Sequence, residues 1–115
     1  NESQVHENYK DMIIKARDID SRVTGRSTGH PVRALRNQMT KEYLQKEQEG
    51  ASFEELELLT LGGLRKAVVE GDVKTGSVMA GQIAGMVKEK MSCHDLIQKL
   101  VKETDDLIGG KGFYE

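Results

Sequence analysis

The residues of this 115-residue chain that could do chemistry are few and far apart. His6, His30 and His94 have no Cys, His or carboxylate at the spacing of a metal site, so the sequence predicts no metal centre. Cys93 and His94 are neighbours at a predicted helix start, where adjacent side chains diverge, and do not predict a thiolate–imidazole pair. Neither a P-loop nor a dinucleotide-binding glycine motif is found. We therefore assign no catalytic residue within this chain.

The stretch with the most unusual composition is residues 64–88, LRKAVVEGDVKTGSVMAGQIAGMVK, which predicts a helix, a tight turn and a second helix beginning at Ser77. A core-facing stripe on the second helix is predicted from Met79, Ile83, Met86 and Val87. The opposite face carries only small residues: Ser77, Ala80, Gly81, Ala84 and Gly85. A glycine inside a helix costs about 1 kcal/mol relative to alanine, so two of them indicate that something lies close to this face. That neighbour is either another backbone or a planar ligand.

A second unusual feature is the basic segment, residues 21–41, which has a local charge of +5 and no acidic residue. The planar guanidinium of arginine suits phosphate and carboxylate groups, so we expect Arg26, Arg33 and Arg36 to bind an anion. The alternative is a solvated face whose arginines pair with the glutamates of residues 42–57.

Hydrophobic periodicity and capping residues predict the elements that position both features. The expected elements are a helix over residues 8–20 capped by Asn8, a short strand at 22–24, a structured loop with an extended segment through Val32, a helix from Thr40 to Glu49, a helix from Ser52 that ends at Gly62–Gly63, and a helix from Ser92 to Ile108. The last residues, GKGFYE, are expected to form a frayed tail. The predicted fold class is α+β and mostly helical.

Composition limits the classes of protein to which the chain can belong. Its length allows one domain at most, and its net charge of −2 does not indicate a nucleic-acid binder. The single cysteine excludes an internal disulfide and predicts a reducing, cytoplasmic location. No apolar run approaches the roughly 20 residues of a membrane span. The chain does not begin with Met, and we expect it to be a piece of a longer protein.

The runs GHPVRALRNQMTKEY and LGGLRKAVVEGDVKTGSVMAGQIAGMVKE resemble the C-terminal part of FabK-type enoyl-acyl-carrier-protein reductases, in the nitronate monooxygenase (2-nitropropane dioxygenase) family of flavoproteins. The resemblance covers most of residues 8–90 and fades beyond Cys93. It implies a TIM-barrel-like enzyme that carries FMN and has a small helical domain over the barrel mouth. The implied reaction is the NAD(P)H-dependent reduction of the trans-2 double bond of an enoyl thioester, with acyl carrier protein as partner.

The resemblance also implies which part of such an enzyme this chain represents. The barrel strands, the FMN-phosphate loops and the catalytic His of the family have no match here, so the chain would be a single C-terminal portion. Within it, a helix over 8–20 follows the last barrel strand, residues 21–75 form the small domain, and helices over 76–108 return to the barrel. Met79, Ala80, Gly81 and Gln82 match the family segment that lies beside the flavin. The chain alone would then be inactive and would hold neither FMN nor NAD(P)H well.

Two alternatives stay open at this point. A nitronate monooxygenase of the same family would use the same flavin site on an alkyl nitronate. A cofactor-free helical interaction module would instead use its basic segment to bind acidic partners. A homodimer is compatible with each of these interpretations.

Overall fold

The computed structural model of this protein describes residues 1–109, and these fall into two compact units. The larger unit comprises Gln4–Lys88, and the smaller one combines Asn1–Ser3 with the chain from Glu89 onward. The predicted frayed tail, residues 110–115, lies outside the described residues.

Five α-helices and one two-stranded sheet make up the regular structure of the described residues. In chain order they are α1 (Glu7–Lys15), β1 (Ser21–Thr24), β2 (Val32–Leu35), α2 (Gln38–Gln48), α3 (Phe53–Thr60), α4 (Gly63–Val68) and α5 (Cys93–Leu107). Short 3₁₀ helices occupy Arg26–Thr28 and Gln82–Met86. The predicted class, α+β and mostly helical with no barrel strands, is confirmed for this part of the chain.

Helix α1 is shorter than predicted and is capped by a different residue. The His6 ring accepts a hydrogen bond from the Asn8 backbone N–H at 3.0 Å, whereas the Asn8 side chain donates to the Gly71 carbonyl at 2.9 Å. The helix ends at Lys15 because Ala16 is already extended. Asp20 then accepts the Arg17 backbone N–H at 2.9 Å, and this turn directs the chain into β1.

Strands β1 and β2 form an antiparallel hairpin in which Ser21 pairs with Leu35 and Thr24 with Val32. The strand predicted at residues 22–24 is confirmed, and the second extended segment continues past Val32 to Leu35. Gly25 begins the connection with a φ of +82°, a conformation that glycine adopts without the penalty of a side chain.

Helix α2 begins earlier than predicted because Asn37, not Thr40, is its N-cap. Asn37 and Thr40 form a reciprocal capping box, and the Asn37 amide also donates to the carbonyls of Val73 and Gly76 at 2.9 and 2.8 Å. The N-cap predicted at Ser52 is confirmed by its bond from the Glu55 N–H.

Two apolar clusters form the core of the larger unit. The first joins α1, β2, α4 and the chain after α4, and its fully buried members include Leu35, Ala67 and Val78. The second packs Met39 and Tyr43 of α2 against Leu56 of α3.

The second helix predicted for residues 77–88 is wrong. Residues 77–81 are extended, with an isolated bridge between Ala34 and Met79, and only a 3₁₀ helix follows. The predicted core stripe is inverted: Met79 is 43% exposed, Ile83 66% and Met86 77%, whereas Val78 is fully buried. Hydrogen bonds to β2 hold this strand-like run, with the Leu35 N–H donating to the Val78 carbonyl at 2.8 Å.

The smaller unit is built around α5, whose predicted N-cap, Ser92, is confirmed. Its Cys93 N–H also donates to the Glu2 carboxylate at 2.9 Å. No α5 side chain is buried, and its apolar face remains exposed: Leu96, Ile97, Leu100, Val101 and Leu107. None of the described helices combines the length and the apolar character needed to cross a lipid bilayer.

Candidate functional site

A cleft of about 330 Å³ lies within the larger unit and combines apolar walls with polar groups. Its lining residues come from the hairpin, from α2, α3 and α4, and from the extended run after Gly76: Thr24, Gly25, Thr28, His30, Val32, Ala34, Met39, Tyr43, Phe53, Glu57, Thr60, Leu64, Ser77 and Met79. The volume falls in the range of small-molecule sites.

The walls of this cleft expose large apolar side chains from four separate elements. Val32 of β2 is 37% exposed, Phe53 of α3 49%, Leu64 of α4 46%, and Met79 43%. Such groups favour burial, so their convergence on one concave surface indicates a site for an apolar ligand.

The hairpin connection that carries His30 is fixed by one carboxylate. Glu47 of α2 accepts the Gly25 N–H at 3.1 Å, the Ser27 N–H at 3.0 Å and the Ser27 hydroxyl at 2.6 Å. Thr28 then bonds the Gly25 carbonyl at 2.7 Å and accepts the His30 N–H at 3.2 Å. The rim of the cleft is therefore held by a chain of hydrogen bonds that begins on α2.

This arrangement changes the acidity of Glu47. Partial burial by itself raises the pKa of Glu47, but the hydrogen bonds from Ser27 and Gly25, together with the nearby Arg26 charge, outweigh it. The net pKa lies below its ordinary value of 4.5, so Glu47 is ionised at neutral pH.

Met79 lines the cleft and begins the run Met79–Gln82, which is extended before its 3₁₀ turn. The Tyr9 hydroxyl donates to the Met79 carbonyl at 2.5 Å, and the Ala80 N–H donates to the Arg33 carbonyl at 3.3 Å. Burial raises the pKa of Tyr9, so its hydroxyl stays protonated and keeps this donor. These two bonds fix the backbone of the segment without covering Met79, Gly81 or Gln82.

Gly81 and Gly85, the two glycines predicted to lie on the small-residue face of a helix, differ in their surroundings. A Cβ on Gly85 would lie 2.6 Å from the Asp18 nitrogen and 2.8 Å from the Arg17 carbonyl carbon. A Cβ on Gly81 would meet no described atom within 4 Å. The close approach predicted from sequence is therefore to protein backbone at Gly85, while Gly81 presents an open surface on which a flat group could lie.

Two of the three arginines expected to bind an anion have side-chain partners within the chain. Arg33 donates to the Ser21 hydroxyl at 2.8 Å, and Arg36 forms an ion pair of 3.2 Å with Asp20. The hydrogen bonds of Arg17 and the charges of Arg17 and Arg36 hold the pKa of Asp20 below its ordinary value. Arg26 lies in the hairpin connection beside Glu47. The alternative prediction, that arginines of the basic segment pair with glutamates of residues 42–57, is therefore supported for Arg26 but not for Arg36.

A broad groove on α2 gathers a different set of cations. Arg22, Arg36 and Lys41 line it together with polar side chains, and no acidic residue is among its lining residues: Asn37, Gln38, Thr40, Leu44, Gln45 and Gln48 complete the set. Its three cations all come from the basic segment, residues 21–41. Among the described residues, no cluster of His, Cys, Asp and Glu could hold a metal ion.

Sequence reasoning missed several residues of the cleft, among them Tyr43, Phe53 and Leu64. They lie on three different helices, and no spacing in the chain connects them. Glu47 was predicted only as a possible partner of the arginines, and its role as acceptor for Gly25 and Ser27 was missed. Asn37 could have been found, because Asn is among the preferred N-cap residues and directly precedes α2.

Comparison with known proteins gives a family and similar solved structures. The family model described as nitronate monooxygenase matches residues 1–103. The structure of FabK from Thermotoga maritima is 38% identical, with a TM-score of 0.84, over 90% of this chain and 33% of that one. A methionine-to-alanine variant of FabK from Thermotoga maritima is 34% identical, with a TM-score of 0.72, over 92% of this chain and 30% of that one. A search of curated proteins gave no match. This chain thus spans about a third of the length of the solved structures it matches.

Proposed function

This chain belongs to the nitronate monooxygenase family, and we propose that it is part of an FMN-dependent enoyl-acyl-carrier-protein reductase. The whole protein would use NAD(P)H to reduce the trans-2 double bond of an enoyl thioester in fatty-acid elongation, in the cytoplasm. The observation that carries the proposal is that Met79, Gly81 and Gln82 are exposed and that Met79 lines an apolar cleft. The similarity to FabK favours the reductase within the family.

The surface around Gly81 fits a flat cofactor because it is open. Gly81 has open space where its side chain would be, and Met79 and Gln82 beside it are exposed. Met79, Ala80, Gly81 and Gln82 would lie along the flavin, held in place by the Tyr9 and Arg33 bonds. FMN, when bound, would supply the two-electron chemistry that side chains lack.

The remaining residues of this chain would bind and orient the substrate. With substrate in place the apolar cleft would exclude water beside Met79, and the basic groove of Arg22, Arg36 and Lys41 would offer charges to an acidic carrier protein. No proton transfer is assigned to a side chain of this portion.

The test uses the full-length protein that contains this chain. We expect it to be yellow after mild purification and to oxidise NADPH or NADH when a crotonyl thioester is added. Turnover of an alkyl nitronate with no reduction of the thioester would favour the second candidate, a nitronate monooxygenase. This candidate is supported by the family match, which is described as nitronate monooxygenase. A colourless protein inactive in both assays would instead support a cofactor-free interaction module.

A further inference from the structure

We propose that the 330 Å³ cleft is the binding site for the alkyl chain of the substrate, and that its depth sets the preferred chain length. This inference rests on the proposed function, because it assigns a substrate portion to the same site. The occupant is an unbranched, uncharged hydrocarbon chain attached to a thioester that stays near Met79.

The charge of the lining residues argues for a hydrocarbon and against a nucleotide. No Lys or Arg lines the cleft, although the hairpin and α2 beside it are rich in both. Strand alternation explains this separation: Val32 and Ala34 of β2 line the cleft, whereas Arg33 between them points to the other face and bonds Ser21. The phosphates of a dinucleotide would find no cation here.

The arrangement of apolar groups argues for an extended chain. Val32, Phe53, Leu64 and Met79 come from four elements, and each leaves a third to a half of its surface exposed. Tyr43 and Met39 also line the cleft, and both are buried. Because Met79 belongs both to this lining and to the run proposed to border the flavin, a chain entering the cleft would leave its reactive end at that run.

The rim offers the remaining polar contacts. His30 and Glu57 are the ionisable groups at the cleft besides Tyr43, and both are exposed. They can remain solvated while the hydrocarbon is buried.

The test compares Val32→Phe with Val69→Phe in the full-length protein. Val69 is 57% exposed, follows α4 and does not line the cleft, so it receives the same added volume elsewhere. With trans-2-enoyl thioesters of four to ten carbons, Val32→Phe should lower kcat/KM for the ten-carbon substrate about tenfold or more, because each excluded methylene loses its burial. The readout is the ratio of this value to the value for the four-carbon substrate, which should fall by a similar factor, whereas Val69→Phe should leave kcat/KM for the whole series within about twofold. Leu64→Phe, with Leu58→Phe as its control, repeats the test should Val32→Phe fail to fold.

A second measurement separates this inference from the proposed function. Binding of cis-parinaric acid, a fluorescent fatty acid, should be detectable and should weaken about tenfold in Val32→Phe but not in Val69→Phe. Weakened binding without any enoyl reduction in the parent would uphold the cleft and overturn the reductase. Enoyl reduction whose chain-length profile is the same in both Val32→Phe and Leu64→Phe as in the parent would overturn the cleft and uphold the reductase. No parinaric acid binding by the parent would also overturn the cleft.

Discussion

At the scale of single residues, Glu47 has the clearest measurable role. Its carboxylate accepts three hydrogen bonds from Gly25 and Ser27, and its pKa is held below 4.5. A carboxylate with a lowered pKa in the folded state stabilises the fold above its unfolded pKa, and this contribution is lost as the pH falls through the folded value.

We therefore expect Glu47→Gln to lower the melting temperature of the full-length protein at pH 7. The difference in melting temperature between wild type and variant should become smaller as the pH falls below about 4.5. Glu42→Gln on the same helix is the control, because the Glu42 carboxylate accepts only a side-chain bond from Gln38 among the described residues. A difference between Glu47→Gln and wild type that stays constant from pH 7 to pH 3 would contradict this role.

Gly81 and Gly85 provide a matched pair of positions. Gly85→Val should lower the free energy of unfolding by more than the 1–3 kcal/mol typical of overpacking, because a Cβ would overlap backbone atoms of Arg17 and Asp18. Gly81→Val should leave folding nearly unchanged and should reduce flavin content in the full-length protein. Absorbance of bound flavin and urea unfolding measure the two effects. Full flavin occupancy in Gly81→Val would contradict the proposal that the flavin lies against this surface.

At the scale of elements, Asn37 connects the start of α2 to the turn that follows α4. It accepts the Thr40 N–H at 3.0 Å and donates two bonds across to Val73 and Gly76. A helix cap contributes about 1 kcal/mol, and each further hydrogen bond contributes a similar amount.

Asn37→Ala should accordingly lower the free energy of unfolding by about 2–3 kcal/mol, measured by urea denaturation of the full-length protein. Ser52→Ala, which removes the cap of α3 alone, should cost about 1 kcal/mol. Asn37→Asp keeps the capping oxygen and loses the amide donors, so its cost should fall between these. Equal effects of Asn37→Ala and Ser52→Ala would show that the hydrogen bonds from the Asn37 amide to Val73 and Gly76 contribute little stability.

The groove on α2 allows a test of the predicted anion binding. Replacing Arg36 and Lys41 with Gln in the full-length enzyme should raise the KM for an acyl-carrier-protein substrate about 2- to 30-fold, as expected for two exposed charges. The salt dependence of KM should flatten, since screening acts on such pairs, and kcat should change little. Lys46→Gln, on α2 but outside the groove, is the control. An unchanged KM in the double variant would mean that the groove does not contact the substrate.

The run after Gly76 shows where prediction from the sequence ends. Capping residues and glycines located α3, α4 and α5, because those signals are local. The helix predicted from Ser77 failed because its periodicity was outweighed by hydrogen bonds to residues about 45 positions earlier, such as Leu35 N–H to Val78. Two glycines had already weakened the helical preference of this run. The cleft was not predictable for the same reason, since Phe53, Leu64 and Met79 meet only in the fold.

At the scale of the whole molecule, α5 exposes an apolar face, and the chain covers only part of the related structures. Five large apolar side chains of this helix are uncovered, as on a helix that packs against another part of its protein. The chain spans about a third of the FabK structures it matches.

The isolated 115-residue chain should therefore show no enoyl-thioester reduction and should retain little FMN during gel filtration. The loops at barrel strand ends that would bind the flavin phosphate have no match in this chain. The full-length protein, assayed in parallel with a crotonyl thioester and NADPH, is the positive control. Measurable turnover by the isolated chain would contradict this expectation.

The contact between Gly85 and the turn after α1 also constrains how the family can diverge. Because the close atoms of Arg17 and Asp18 belong to the main chain, the side chains at 17 and 18 can be exchanged without affecting the contact. Position 85 has no such freedom, since even a methyl group would separate the two segments. Related sequences that keep this fold should vary at 17 and 18 while retaining glycine at 85, and a lineage that loses this glycine should also have rebuilt the turn.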